Sequence, residues 1–302
     1  MEMTAPGKVI VLGAGGFFGK AIATGLEQAG HDVARIDRAA GGELLDPEGL
    51  NQMIASTDPA VVINAAGVTS PAAATADPAG CFSVNAGGTL NLLEAMRRRS
   101  SREGGPGPQL IALSSAAVYS GDAPFGEDSP TRACTPYAAS KLAMEILVGQ
   151  YARGYGLPAT VLRCFNLTGP GEPGSQATSQ FARAALTCGP GAEAEIKVGE
   201  PATARDFTDV RDAAAAVRKV VEERITGTFN ICSGRATSLT ELAQIIGEMT
   251  GAGLVLRGSG SGRPASGLLE VRGDGSRIAT ATGWRPEIPL RTSLTDLLRS
   301  LA

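Results

Sequence analysis

The sequence predicts an α/β fold in which a doubly wound parallel sheet occupies roughly residues 1–166. Strand and helix patterns alternate along this half of the chain, and the strand patterns are continuous apolar runs. Continuous apolar strands are typical of a parallel sheet whose two faces are both covered by helices. A glycine-rich run between the first strand and the first helix, at residues 13–19, agrees with this arrangement.

The predicted elements of this half follow one another through short connections. Runs rich in Val, Ile and Leu predict strands at residues 8–12, 32–36, 60–64, 110–113 and 159–164. Helical spacing of apolar residues predicts helices at 17–28, 47–56, 86–99 and 136–155. The second helix begins with Asp46-Pro47, a capping residue followed by proline at the first helical position.

The pattern after residue 166 is less regular and predicts a smaller α/β region, residues 167–302, that binds substrate. Strands are predicted at 227–232 and 254–257, and helices at 239–250 and 293–301. Residues 169–174, 188–191 and 258–267 are rich in Gly or Pro and predict loops. We expect a segment near 206–233 to complete the dinucleotide-binding domain that residues 1–166 begin.

Composition excludes several classes of protein. The 302 residues include 27 basic and 30 acidic side chains, a net charge of −3, so nucleic acid is not an expected partner. No apolar run approaches the roughly 18 residues of a membrane-spanning helix, and no signal-peptide pattern precedes Gly13. We therefore expect a cytoplasmic protein without a membrane partner.

The histidine and cysteine content excludes further kinds of site. The chain has one histidine, His31, and five cysteines. A Ser-His-Asp triad or a His-ligated zinc site would need His31, which follows Gly30 and is interpreted as a solvated turn residue. No two cysteines have C-x-x-C spacing and their number is odd. We predict no metal site and no disulfide framework.

The loop after the first strand contains the pattern G-x-x-G-x-x-G. Its glycines are Gly13, Gly16 and Gly19, and Phe17 and Phe18 stand between the last two. Glycines allow the tight turn and let backbone N–H groups approach a diphosphate at the positive end of the next helix. The position of the motif between a strand and a helix predicts a dinucleotide-binding loop.

Asp37, at the end of the second strand, predicts which dinucleotide is preferred. A carboxylate there accepts hydrogen bonds from the adenosine ribose and repels a 2′-phosphate, which favours NAD(H). Arg38 follows, and its guanidinium can stack on adenine or pair with a 2′-phosphate, so NADP(H) stays open. Other cofactor candidates are Leu45 and Asp46 before the second helix, where Asp46 is equally well a cap, and the small residues Ala65, Ala66 and Gly67 after the third strand.

Tyr137 and Lys141 are four residues apart on one predicted helix and therefore share a face. A nearby ammonium stabilises a phenolate, so we expect Lys141 to lower the pKa of Tyr137 from its usual value of about 10. Ser115 follows the fourth strand, at the sheet edge where ligands bind in such folds, and can hydrogen-bond a substrate oxygen. Lys141 can also hold the nicotinamide ribose. Asn85 is a further cofactor candidate that is expected to open the next helix, and its alternative role is an ordinary N-cap.

Taken together, these motifs make the chain similar to the extended short-chain dehydrogenase/reductases that act on nucleotide sugars. The resemblance spans nearly the whole chain and implies a Rossmann-type sheet. It includes the loop at 13–19, Asn85-Ala-Gly-Gly-Thr89, Ser114-Ser115-Ala-Ala-Val-Tyr119 and Tyr137-Ala-Ala-Ser-Lys141. The segments Phe165-Asn-Leu-Thr-Gly-Pro-Gly171, Arg205-Asp-Phe-Thr-Asp-Val210 and Gly283-Trp-Arg-Pro286 look most like GDP-4-keto-6-deoxy-D-mannose reductases and related 4-ketoreductases.

The resemblance implies a role for each matching residue. Tyr137 would be the acid, Lys141 its partner and Ser115 the assisting hydroxyl. Cys164 would pack in the nicotinamide pocket, without a chemical role. Asn166, Arg205 and Arg263 fall where relatives bind the nucleotide sugar, and an arginine fork suits a diphosphate. A homodimer is expected.

The sequence departs from relatives of other activity, and these departures leave alternatives. Ala116 and Ala117 stand where dehydratases carry an Asp-Glu pair, which argues against lyase chemistry. Many reductases also carry glutamate at the Ala117 position, so the sugar stays open, as does the nucleoside. The leading hypothesis is reduction of an NDP-4-keto-6-deoxyhexose. A UDP-hexose 4-epimerase with tightly bound NAD is the alternative, and a non-catalytic dinucleotide-binding protein is a more distant one.

Overall fold

A computed structural model describes residues 7–37, 43–103, 107–258 and 267–302. Within these residues a six-stranded sheet has the order β2-β1-β3-β4-β5-β9, with every neighbouring pair parallel. Its strands are β1 Val9–Leu12, β2 Val33–Ile36, β3 Val61–Asn64, β4 Gln109–Ser115, β5 Ala159–Cys164 and β9 Gly227–Ile231. The prediction of a parallel α/β sheet is confirmed.

Helices cover both faces of this sheet, and further helices lie in the second half of the chain. In the first half they are α1 Phe17–Gln28, α2 Pro47–Thr57, α3 Pro71–Ala76, α4 Pro78–Phe82, α5 Gly88–Glu103 and α6 Pro136–Tyr155. In the second half they are α7 Ala177–Cys188, α8 Val210–Glu223, α9 Leu239–Thr250, α10 Ser276–Thr282 and α11 Leu290–Leu301.

The alternation of side chains along each strand divides the core into two layers. Val9, Val11 and Ile63 face α1 and α8 on one side of the sheet. Ile10 and Leu12 face α2, α5 and α6 on the other. Because both faces are buried, the strands are apolar throughout, which is why their sequence pattern is continuous.

The second half adds smaller sheets beside the carboxyl edge of the main one. Their strands are β6 Asn166–Thr168, β7 Glu193–Val198, β8 Ala204–Asp209, β10 Ala236–Ser238, β11 Gly253–Gly258 and β12 Glu270–Val271. Strand β8 pairs with β6, β10 and β12, and β7 pairs with β11. Helices α7, α9 and α11 share a separate apolar cluster. The sequence analysis missed β8, α7 and α8, and most of the loop expected at 258–267 lies outside the described residues.

The helix expected to begin at residue 86 begins earlier. Helix α4, a π-helical turn at Ser83–Gly87 and α5 follow one another without a break. Asn85 lies inside the π turn and is buried, so the interpretation of Asn85 as an N-cap is wrong. Single π turns inside α-helices occur frequently at functional sites.

The interpretation of His31 as a solvated turn residue is also wrong. Its side chain is only 6% exposed, and its Nε2 lies 3.6 Å from the Glu222 carboxylate on α8. The turn after α1 therefore packs against α8, which places His31 beside the sheet face that α1 and α8 cover.

No helix of the described segments is long and apolar enough to cross a membrane.

Asp206 joins three segments of the second half. It is fully buried, and its carboxylate accepts hydrogen bonds from the Ser233 hydroxyl and from the backbone N–H groups of Ser233, Gly234 and Gly273. Burial raises the pKa of Asp206 and these hydrogen bonds lower it. The carboxylate thus fixes β8, the turn after β9 and the strand end after β12 to one another.

We expect Asp206→Ala to lower the free energy of unfolding by at least about 2 kcal/mol, because several buried donors lose their acceptor. Urea unfolding followed by circular dichroism measures this change. Asp128→Ala is the control: this carboxylate is 87% exposed, although Arg277 pairs with it, and its loss is expected to cost less than about 1 kcal/mol. Equal effects of the two substitutions would contradict the role given to Asp206.

Candidate active site

The carboxyl ends of β1 to β5 meet along one edge of the sheet, and most of the predicted site residues follow them. The Gly13 amide donates to the Ile36 carbonyl, and the Ala65 amide donates to the Leu12 carbonyl. The ends of β1, β2 and β3 are thereby held side by side. Clefts at this edge are where α/β sheets bind ligands.

The glycine loop is too tightly packed for side chains at two of its glycines. Gly13 has φ +76°, and a Cβ there would lie 2.7 Å from the Ala66 amide nitrogen. A Cβ at Gly19 would lie 2.1 Å from the Gly13 carbonyl oxygen. The loop and the end of β3 are therefore in backbone contact, which is the close approach that the motif predicts.

The start of α1 offers donors to an anion. Gly16 is the N-cap of this helix, and no side chain caps it. The amides of Phe17, Phe18 and Gly19 lie in the first turn, where an α-helix leaves its N–H groups without intrahelical partners. An uncapped first turn with glycines on the approach suits a diphosphate. The residues present therefore fit a dinucleotide cofactor.

Asp37 lies beside the glycine loop at the end of β2. A Cβ built on Gly15 would be 3.5 Å from its Oδ2 atom, so the carboxylate borders the space that a dinucleotide would enter. This position agrees with the expected contact to the adenosine ribose. Arg38, the residue that left NADP(H) open, lies outside the described residues.

The segment before α2 contains the cofactor candidates Leu45 and Asp46. The Asp46 side chain accepts a hydrogen bond of 3.0 Å from the Gly49 amide and so caps α2. Leu45 is 48% exposed, whereas Leu44 is buried and contacts the start of α5 at Gly88. Leu44 belongs to the buried apolar cluster between the sheet and helices α2, α5 and α6. The sequence analysis did not single it out because Leu44 and Leu45 are indistinguishable by type.

Asn85 ties the loop after β3 to α6. Its Oδ1 accepts from the Val68 amide at 2.8 Å, and its Nδ2 donates to the Val68 carbonyl and to the Ser140 hydroxyl. A Cβ on Gly67 would lie 2.6 Å from Asn85 Oδ1 and 3.9 Å from Lys141 Nζ. The loop of Ala65, Ala66 and Gly67 is therefore held directly against the Lys141 ammonium group.

Three consecutive residues of β4 are each tied to α6. The Leu113 carbonyl accepts from Lys141 Nζ at 2.8 Å. The Ser114 hydroxyl donates to the Glu145 carboxylate. The Ser115 side chain lies beside the Tyr137 phenol and lowers its pKa. Since Tyr137, Lys141 and Glu145 are spaced by four, they lie on one face of α6, and the structure brings the predicted Ser115, Tyr137 and Lys141 together.

Burial controls the acidity of Tyr137. Its ring is 9% exposed and packs among Val68, Ala74 and Ala117. Desolvation raises the pKa of Tyr137 to about 12, and the hydrogen bond with Ser115 offsets only part of that rise. The expectation that this pKa lies below its usual value is wrong, because burial of the phenol dominates its pKa. Tyr137 is a protonated hydrogen-bond donor at neutral pH.

Burial acts in the opposite direction on Lys141. Desolvation lowers the pKa of Lys141 to about 8, against the smaller effects of Cys164, Cys81 and Glu145, which raise it. The Cys164 thiol, at the end of β5, has its pKa raised to about 12 by burial. Cys164 is therefore a neutral thiol at neutral pH, in keeping with a packing role.

The candidates for substrate contact lie on the second-half strands. Asn166, in β6, is exposed beyond the end of β5. The Arg205 guanidinium, on β8, donates to the Ala204 and Leu269 carbonyls, and burial lowers the pKa of Arg205. Arg263 lies outside the described residues. Among the described residues, no group of three or more His, Cys, Asp and Glu side chains could hold a metal ion.

Sequence analysis missed a buried ion pair behind this site. The Arg163 guanidinium, on β5, pairs with Glu145 at 2.7 Å. One signal indicates that Arg163 needs a partner, because it is a charged residue inside an apolar strand run, but that signal does not identify Glu145. Charged side chains in such positions are expected to be paired.

We expect Gly19→Ala to weaken NADH and NADPH binding by at least about tenfold, because its Cβ displaces the Gly13 carbonyl and with it the donors of the loop. Isothermal titration calorimetry measures the affinity. In the control Gly126→Ala the Cβ meets no heavy atom within 4 Å, so wild-type affinity is expected. Wild-type affinity in Gly19→Ala would exclude the loop as the diphosphate site.

Comparisons with known proteins agree with this geometry. Residues 9–232 match the NAD dependent epimerase/dehydratase family. GDP-6-deoxy-D-mannose reductase of Pseudomonas aeruginosa is 31% identical, over 96% of each chain. The structure of RMD from Pseudomonas aeruginosa complexed with NADPH has a TM-score of 0.82 and 31% identity, covering 97% of this chain and 98% of that one. UDP-glucose 4-epimerase of Thermus thermophilus, complexed with NAD, has a TM-score of 0.85 and 26% identity, with the same coverage. The chain therefore belongs to the NAD dependent epimerase/dehydratase family and is an NAD(P)-dependent oxidoreductase of the extended short-chain dehydrogenase/reductase type.

Proposed function

We propose that the protein reduces the 4-keto group of a nucleotide-linked 4-keto-6-deoxyhexose, a GDP- or dTDP-sugar, with NADH or NADPH. The observation that carries the proposal is the buried Tyr137 side chain beside Ser115, at the carboxyl end of β4. The similarity to a GDP-6-deoxy-D-mannose reductase over nearly the whole chain supports the substrate class. We expect a preference for NADH, since Asp37 borders the loop.

The proton chemistry would involve three side chains with different roles, those of Ser115, Tyr137 and Lys141. A bound NADH or NADPH supplies the hydride that reduces the carbonyl carbon. Tyr137 donates its proton to the carbonyl oxygen, so that ketone, hydride and proton together give the alcohol. Ser115 donates a hydrogen bond to the same oxygen as negative charge develops on it. The Lys141 ammonium stabilises the phenolate that Tyr137 becomes, which regains a proton from water.

The two halves of the chain would bind different ligands, the cofactor and the sugar nucleotide. Residues 1–166, completed by a segment near 206–233, would hold the cofactor through Gly13, Gly16, Phe17, Phe18 and Gly19. Residues 167–302 would hold the sugar nucleotide. Arg205 is suited to the diphosphate because its guanidinium meets backbone carbonyls and keeps its positive charge largely uncompensated. Asn166, exposed at the end of β6, would hydrogen-bond the sugar or its phosphate.

A 4-epimerase is the second candidate function. It would use the same Ser115, Tyr137 and Lys141 but return the hydride to the other face of the sugar. The likeness to UDP-glucose 4-epimerase of Thermus thermophilus, complexed with NAD, favours it specifically. Ala116 and Ala117 have no side-chain group that can donate or accept a proton. Reduction and 4-epimerisation do not need the additional proton transfer of a dehydration, so both functions are compatible with these alanines.

We expect Tyr137→Phe to lower kcat for 4-keto sugar reduction by at least about 100-fold, because no other acid replaces the phenol. NADH affinity is expected to stay near wild type, since ring packing is kept. Absorbance at 340 nm measures turnover and calorimetry measures binding. Tyr155→Phe, an exposed tyrosine at the end of α6, is the control and should turn over normally.

The same assay separates the two candidates. A reductase consumes one NAD(P)H for each sugar product, whereas an epimerase interconverts UDP-hexoses with no net change in absorbance. Full activity of Tyr137→Phe with every accepted sugar nucleotide would exclude the proposed acid. UDP-hexose interconversion without added cofactor would replace the reductase proposal by the epimerase.

We also propose that the protein is a cytoplasmic homodimer formed through α5 and α6. These helices pack on each other, and their outer surface carries Leu90, Ile146, which is 63% exposed, and Tyr155, which is 55% exposed. A two-helix surface with exposed apolar side chains can pair with its own copy about a two-fold axis. All five cysteines are free thiols, which suits a reducing compartment.

We expect Ile146→Asp to convert the dimer into a monomer at micromolar concentration, because the charge would be buried in the contact. Light scattering coupled to gel filtration measures the mass. The control Leu186→Asp places the same charge on α7, also at an exposed leucine, and should leave the dimer intact. A monomeric wild type would contradict the proposal directly.

A further inference from the structure

The buried ion pair of Glu145 and Arg163 is a feature that the proposed chemistry does not use. Its two side chains are only 8% and 9% exposed. Arg163 Nε donates to both Glu145 oxygens at 3.0 and 3.1 Å, and its Nη1 donates to the Glu127 carbonyl and the Tyr119 hydroxyl. The arginine therefore has hydrogen-bond partners on every side.

Such a pair needs an explanation because it is costly to bury. Taking two charges out of water offsets most of their mutual attraction, and an apolar pair of similar size is often as stable. A buried pair is therefore weak evidence of a stability role. Where it lies in the molecule is more informative.

The pair lies at the second of three successive contacts between β4 and α6. Leu113 is hydrogen-bonded to Lys141 and Ser114 to Glu145, and Ser115 lies beside Tyr137. Glu145 also reaches across to β5, because Arg163 pairs with it. A displacement of Glu145 would move the α6 face that carries the other two contacts.

We propose that Glu145 is a positioning residue, held by Arg163 and Ser114, that fixes the Lys141 ammonium and Ser115 in their working geometry. The inference rests on the proposed function, in which that ammonium stabilises the Tyr137 phenolate. It extends the site by one helical turn, to a residue that touches neither cofactor nor substrate.

The groups that face Lys141 support this role. Cys164 from β5, Cys81 from α4 and Glu145 from α6 itself all raise the pKa of Lys141. Burial keeps the Cys164 thiol neutral at neutral pH. Glu145 is the carboxylate among these groups, and it acts against the desolvation of the ammonium.

The first test is Glu145→Gln, which keeps the shape of the side chain and removes its charge. The alkaline fall of kcat is expected to move to lower pH, because Lys141 loses its proton more easily. Glu222→Gln is the matched control, since Glu222 is a partly buried glutamate that pairs with Arg218 at 2.7 Å on α8. A loss of activity with an unmoved alkaline limb would assign Glu145 a structural role only and overturn the proposal.

The second test uses Ser114 and does not alter any charge. Ser114→Ala is expected to lower kcat about tenfold at unchanged KM for NADH, because the Glu145 contact to β4 is lost. Ser114→Thr keeps a hydroxyl and should restore most of the rate. This pair decides the question if Glu145→Gln does not fold, and wild-type kcat in Ser114→Ala would overturn the proposal.

A third readout is independent of the proposed function. Trace acetic anhydride acetylates only neutral amines, so the pH dependence of Lys141 labelling, followed by peptide mass spectrometry, reports the pKa of Lys141 without any substrate. Labelling in Glu145→Gln should begin at lower pH than in wild type or Glu222→Gln. If wild type reduces no 4-keto sugar, the proposed function fails while this comparison still decides the role of Glu145. Identical labelling curves would refute that role.

Discussion

The register between β4 and α6 is the constraint on which the candidate site depends. Leu113, Ser114 and Ser115 follow one another on the strand, and their partners on the helix are one turn apart. A strand advances about 3.3 Å per residue and a helix about 5.4 Å per turn. The three contacts between β4 and α6 can therefore form together only where this strand and this helix lie close to each other. The parallel sheet provides that crossing, because each helix must return over the strand it follows.

The apolar surroundings of the site act on its two titrating side chains in opposite senses. Burial raises the pKa of Tyr137 to about 12 and lowers the pKa of Lys141 to about 8. The phenol is therefore a weak acid that gives up its proton only to a strongly basic oxygen, such as an alkoxide formed in the cleft. The ammonium, in contrast, loses its proton more easily than an exposed lysine does, so the site is expected to be more sensitive to alkaline than to acidic pH.

Much of this arrangement could be predicted from the sequence, and the failures have physical causes. Helices α1, α6 and α9 were predicted with the bounds that the structure has, because their apolar spacing ends at Gly or Pro. Ser115, Tyr137 and Lys141 were found because their types and spacing are specific. The partner of Arg163 could not be predicted, since a pair between β5 and α6 is set by tertiary packing. The pKa direction of Tyr137 was wrong for the same reason: sequence shows that Lys141 is near, but burial is a property of the whole fold.

The π turn at Ser83–Gly87 has a consequence for how the chain tolerates change. A π turn contains one residue more than the same stretch of α-helix, and each residue rotates a helix by about 100°. Before the turn, Cys81 packs with Ala74 and Tyr137, and after it, Leu92 and Met96 face the sheet. A one-residue deletion in this turn would leave a regular, stable helix, but only one of these two faces could then point inward. The active site would be lost by a change of helical phase, with every side chain that contacts cofactor or substrate still in the sequence.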